Sequence, residues 1–140
     1  MKDNQNARIA GSLFDTTTHD QNTLVINDVS KNKQNSFEAG ELITYDAKHV
    51  TAATDKVFGV VSSAGAEYDN GKYLIRRRMA GVFSKGRVVV NAVGAVAGVL
   101  AFYKIATKTY EKAGDIQVGS FITTGDGLQV LQVDILKKAV

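Results

Sequence analysis

The 140-residue chain has no cysteine and no proline. Without a thiol there is no disulfide staple, no thiolate zinc site and no cysteine nucleophile. Average usage of ~5% would supply about seven prolines, so a long linker or a proline-rich docking segment is not expected. Long apolar runs are missing too. The longest, AVGAVAGVLAFY at residues 92–103, has twelve residues, against the ~20 that a membrane helix needs. The opening MKDNQNARIAGSLFD holds no apolar core of signal-peptide length. A dense basic stripe of the kind a dedicated DNA binder carries is likewise absent. The net charge of +3 is spread as −2 over residues 1–50, +4 over 51–100 and +1 over 101–140.

What remains is an ordinary globular composition, 44% hydrophobic and 22% charged, in a length that fits one domain and buries roughly two-thirds of its unfolded surface. The first eight residues are polar and aperiodic and read as a flexible arm, leaving a β domain over 9–140. Strand candidates follow at 9–14 (IAGSLF), 23–29 (TLVINDV), 37–45 (FEAGELITY) and 56–62 (KVFGVVS). Residues 46–55 fit one helical turn or an irregular crossing. Asp69-Asn70-Gly71 is a hairpin signal, because Asn and Gly accept positive φ, and it predicts a strand over 73–82. Ser84-Lys85-Gly86 then reads as a turn into 87–93, Gly94 and Gly98 as punctuation before a strand at 99–105, and 111–115 as a loop. Strands at 116–123 and 128–136 close the chain around the Gly125-Asp126-Gly127 turn. In the last of these, Leu131, Val133 and Ile135 share a face. About ten short strands and no sustained 3.6-residue repeat predict an all-β barrel or sandwich.

Arg76-Arg77-Arg78 interrupts the predicted 73–82 strand. Strand alternation puts Arg76 and Arg78 on one face and Arg77 on the other. The triplet is then an edge-protecting strand, a dock for an acidic protein surface, or a nucleic-acid contact. His19 and His49 lie in polar segments and read as solvated loop residues; a metal would need them to converge with Asp15, Asp20 or Asp46. Neither the serine and threonine runs nor the glycines match a nucleophile elbow, a P-loop or a dinucleotide fingerprint. No catalytic residue, metal ligand or cofactor is predicted.

The order of short motifs carries a family resemblance. IAGSLFD at 9–15, FEAGELI at 37–43, KVFGVV at 56–61, MAGV at 79–82 and GSF at 119–121 follow one another over residues 8–136. The series resembles the decoration, or structural cement, proteins of tailed-bacteriophage capsids, departing from them in a missing proline at 37–40 and a polar insert at 15–22. The resemblance implies a non-enzymatic virion protein that binds the capsid exterior. It would bridge neighbouring major capsid subunits as a homo-oligomer and be made in the bacterial host cytoplasm, with no membrane or nucleic-acid partner. Arg76 and Arg78, with Lys2 and Arg8 of the arm, are the candidate contacts to capsid carboxylates. Two alternatives stay open: another virion β module such as a head-fibre base, a tail element or a receptor-binding domain with Tyr68 and Tyr110 at loop tips; or a single-strand-binding barrel, which needs Tyr73, Arg76, Arg78, Phe83 and Arg87 on one concave face.

Overall fold

The computed structural model describes residues 9–15, 18–26, 36–76 and 78–135. The expected arm at 1–8 lies outside them, as do Arg77 and residues 27–35. The described residues form eleven strands and no helix: β1 Asp20–Val25, β2 Phe37–Glu38, β3 Leu42–Thr44, β4 Val57–Val61, β5 Glu67–Asp69, β6 Lys72–Ile75, β7 Met79–Ala95, β8 Leu100–Lys104, β9 Thr109–Glu111, β10 Ile116–Phe121 and β11 Gly125–Asp134.

The seventeen-residue β7 organises the rest, because it has partners on both edges along much of its length. Lys85 pairs with both Asp20 of β1 and Asp134 of β11, so those two strands lie on opposite edges. Phe83 pairs with Gln21 of β1 and Val60 of β4, and Ala92 pairs with Gly127 of β11 and Tyr110 of β9. One edge therefore carries β4 and then β11. The other carries β1, then residues 11–14, then β9. Those intervening residues are tied on by Gly11 N to Val89 O at 2.7 Å, Val89 N to Ser12 O at 2.8 Å and Phe14 N to Arg87 O at 2.7 Å.

The second half of β7 closes a five-stranded barrel, β7-β9-β8-β10-β11-β7. The β7–β9 contact is its one parallel pairing among the described residues, and every other pair is antiparallel. Leu131, Val133 and Ile135 point into the barrel with Val88, Val90, Tyr103, Tyr110, Val118 and Phe121, as the alternation in the last strand predicts. A second, smaller cluster joins Ile26, Phe37, Ile43, Val61, Ile75, Ala80 and Val82. It fills the space beneath a separate three-stranded sheet, β2-β6-β5.

Three sequence expectations give way to this topology. The predicted 73–82 strand is two strands in different sheets: β6 ends at Ile75 and β7 begins at Met79. The predicted 37–45 strand breaks in the same manner at Gly40, whose φ is +97°. Conversely, Ser84-Lys85-Gly86 is no turn. Partners on both edges hold the chain extended, and Gly86 (φ +128°) supplies the local irregularity with the His19 Cβ 2.6 Å from where its own would stand. The 46–55 crossing contains turns and no helix. At the predicted hairpin, Asn70 (φ 55°) and Gly71 (φ 86°) join β5 to β6 as expected.

Candidate functional site

Because the chain changes sheets between Ile75 and Met79, Arg76 and Arg78 lie outside the strands. The shared face of Arg76 and Arg78 required a continuous strand, so that argument fails. Arg76 Nη2 donates to Asp69 Oδ2 at 2.5 Å, and Nη1 lies 3.8 Å from Glu67 Oε1. Both carboxylates belong to β5, and Arg76 is three-quarters buried while its Nε has no hydrogen-bond partner. It clamps β5 to the end of β6. Arg78 is different: its side chain is exposed, and only its backbone is engaged structurally, accepting from Ile26 N at 2.6 Å. Lys2 and Arg8 lie outside the described residues.

The five residues of the single-strand-binding alternative do not share a concave face. Phe83 is 3% exposed in the larger core cluster, Arg76 is clamped on β5, and Arg87 reaches Asp15 at 3.2 Å and Gln132 at 3.4 Å. Of the two loop-tip tyrosines, Tyr110 is buried and donates its hydroxyl to Gly40 O at 2.6 Å. Tyr68 is exposed and stands 5.0 Å from Tyr73 across the β5–β6 ladder.

The sequence reading missed the most concentrated polar cluster among the described residues. Glu41, 2% exposed, sits where the chain passes from β2 to β3. Its carboxylate accepts from Glu38 N at 2.7 Å, meets His49 Nδ1 at 2.7 Å and lies 3.5 Å from Lys108 Nζ. His49 also stacks on Phe37, with ring centroids 4.2 Å apart and planes 23° apart. His49 is therefore not the solvated loop residue expected; a buried carboxylate and an aromatic face hold it. Glu41, eight residues upstream, is one of its partners. The available signal was weak: the stretch FEAGELI holds two acids, Glu38 and Glu41, and only the one at the buried position needs a counter-charge.

Around this cluster two phenols become hard to ionise. Burial pushes Tyr103 well above the usual tyrosine range, with the Glu41 charge adding to it and a hydrogen bond to the Leu42 backbone opposing. Burial pushes Tyr110 the same way, reinforced by Tyr103 and then Glu41. His49 also borders a polar cleft of about 520 Å³ beside Tyr45, Lys48 and Thr51. Asp55 shapes that cleft by accepting from Thr51 N (2.8 Å) and Ala52 N (3.1 Å), which holds its carboxyl below its ordinary value. No group of three or more acidic or histidine side chains among the described residues is placed to hold a metal.

Glycines from four of the five resembling motifs lie close together, while Gly119 of the fifth stands against Gln132 between β10 and β11. A Cβ on Gly11 would stand 2.6 Å from Val61 O and 2.9 Å from Gly40 N. Gly40 N donates to Val61 O, Ser63 N to Gly11 O and Ser62 N to Gly81 O, at 2.8–2.9 Å. One on Gly59 would lie 2.4 Å from Phe83 O. IAGSLF, FEAGELI, KVFGVV and MAGV thus pack backbone against backbone around the first half of β7. No family model and no curated protein matches the chain.

Proposed function

We propose that the protein is a non-enzymatic structural component of a tailed-phage virion that binds the outer surface of the capsid and bridges neighbouring major capsid subunits. The observation that carries this reading is the convergence of the motif glycines. Four of the five short sequences behind the family resemblance meet at one packing node, where backbone approaches at Gly11 and Gly59 leave no room for a side chain. Their meeting in the fold supports the resemblance over chance apolar repeats.

Two further features agree with a fastening role. The strands hang on a single spine with partners on both edges, an arrangement suited to transmitting load. Exposed apolar side chains also gather where the chain turns out of the barrel: Val93, Val96, Val99 and Leu100 are each 37–50% exposed, which suits contact with another protein surface. On a shell each such contact is repeated many times, so modest affinity per site suffices.

The partner in this reading is the major capsid protein. The chain occupies the shell as a homo-oligomer on the virion exterior and needs no cofactor, membrane or nucleic acid. Arg78, with Lys2 and Arg8, meets capsid carboxylates, whereas Arg76 serves the fold. The exposed Tyr68–Tyr73 pair favours, as a second reading, another virion module that grips its target with aromatic side chains.

The test is affinity capture of the tagged full-length chain from nuclease-treated lysate of its source, with the partner identified by mass spectrometry. One shell-forming protein in near-stoichiometric amount is expected. Arg78→Ala should weaken its retention and flatten the salt dependence. Capture of nucleic acid lost on nuclease treatment, or of no shell protein, overturns the reading.

A further inference from the structure

An open strand edge invites pairing with another chain, and proteins guard such edges with charge, shortness or cover. Among the described residues four strands have a single strand partner: β1, β2, β3 and β5. Three of these are guarded. β2 has two residues. β3 is covered by its own loop, through the Ile43–His49 bridge and Thr44 N donating to Lys48 O at 3.0 Å. β5 has three residues, two of them the carboxylates Glu67 and Asp69 that face Arg76. β1 has no such guard. It runs six residues, DQNTLV, with one ionisable side chain at its end, and five of the six are exposed.

Its open edge has a defined phase. Ile26 N donates to Arg78 O, and the ladder pairs Leu24 with Ala80 and Asn22 with Val82. Alternate residues of an antiparallel strand direct both backbone groups to the same side. The N–H and C=O of Asn22, Leu24 and Ile26 therefore face β7, and those of Gln21, Thr23 and Val25 face away.

We propose that this edge pairs antiparallel with the same edge of a second copy of the chain, about a two-fold axis at Thr23. In that register Thr23 meets Thr23 of the second copy, and Gln21 meets its Val25. Every outward-facing residue is then used, giving three hydrogen-bonded pairs and about six inter-chain backbone bonds. A shift of the axis by one residue leaves an outward-facing residue unmatched.

Charge and shape favour a copy of this chain as the occupant. The lone Asp20 comes opposite Ile26 of the second copy, so no like charges face each other. Val25 and Met79, paired across β1 and β7, are 61% and 57% exposed, and in the dimer they continue a ladder instead of ending one. Val25 comes to lie beside Gln21 of the second copy, whose side chain rests on the backbone of Gly81, 2.7 Å from where a Cβ there would stand. An isologous contact of this kind is self-complementary by symmetry. One short strand pair buries less than the ~1,200 Å² of a stable interface. The dimer is therefore weak in dilute solution and fills as local concentration rises.

Sedimentation equilibrium of the full chain between about 10 µM and about 1 mM, a range suited to weak interfaces, tests this. The weight-average mass should climb from 15.0 kDa towards twice that value. Thr23→Lys and Thr23→Glu each place like charges at the axis and should stay monomeric when measured alone. An equimolar mixture of the two should recover the dimer, because the axis then joins opposite charges. Thr23→Pro, which removes only an outward N–H, should also remain monomeric, with its circular dichroism matching the parent. A monomeric parent at every concentration, self-association untouched by these changes, or a mixture no more associated than its components overturns the proposal. Shell capture is scored separately, so this contact can fail while the proposed function stands, or the reverse.

Discussion

Removing the two sides of the buried Glu41 cluster should produce unequal losses of stability. The carboxylate is 2% exposed, whereas the His49 and Lys108 side chains are 30% and 42% exposed. When Glu41→Leu deletes the carboxylate, the His49 ring and the Lys108 ammonium recover water, and the group left stranded is the Glu38 N–H, at a cost of about 1–3 kcal/mol. When His49→Ala and Lys108→Ala are combined, the carboxylate stays behind with the Glu38 N–H as its remaining donor among these contacts. A buried charge stripped of its partners costs about 3–5 kcal/mol. The triple variant should then return close to Glu41→Leu, short of it by the lost Phe37 stacking, about 0.5–1.5 kcal/mol. Urea unfolding of the four chains measures this directly, and thermal midpoints should differ by about 3–4 °C per kcal/mol at this chain length. If Glu41→Leu is the least stable of the set, or if the triple variant is the sum of the other two, the carboxylate is not the member that needs its partners.

Other outcomes follow from the same geometry. Tyr103 and Tyr110 hold their protons above the ordinary tyrosine value, so their contribution is complete below about pH 10. It is lost as pH rises and the unfolded chain ionises, by up to about 1.4 kcal/mol per pH unit for each ring. Urea midpoints across that range, with tyrosinate absorbance as the second readout, should show it, and Tyr110→Phe should make the slope shallower. Gly119→Ala would drive a Cβ to 1.8 Å from Gln132 O between β10 and β11 and should cost about 3 kcal/mol or more. Gly98→Ala, with φ +86° and no atom within 4 Å, should cost only about 1–2 kcal/mol of backbone strain. Equal thermal shifts in these two variants would contradict the assigned close approach.

The sequence made the local features legible and hid those that depend on distant pairing. Asn70-Gly71 declares its hairpin because positive φ is a property of the residues themselves. The inward set Leu131, Val133 and Ile135 is visible because alternation needs only the strand it lies on. Residues 73–82 look like one strand since every residue in them tolerates extension; the break at 76–78 comes from a change of partner, from β2 and β5 to β1 and β4, which no local pattern records. Ser84-Lys85-Gly86 fails in the opposite sense, as a turn-like tripeptide held straight by neighbours on both edges. β5 escaped notice because Glu67 and Asp69 are poor strand formers, kept extended by the hairpin and by Arg76. At the polar cluster, nothing local separates Glu41 from Glu38, the other acid of FEAGELI. The Glu41 partners His49 and Lys108 are eight and sixty-seven residues away and are brought to it only by the crossing between sheets.

The most direct test of a capsid-fastening role is the temperature at which shells release their DNA, measured by dye fluorescence with and without this protein. If the proposed function holds, tailed-phage shells lacking the chain should bind it to saturation from outside, at a fixed ratio to the major capsid subunit. Their release temperature should then rise, and Arg78→Ala should shift the binding curve to higher concentration. Saturating occupancy with no change in release temperature, or no binding to shells at all, contradicts the account.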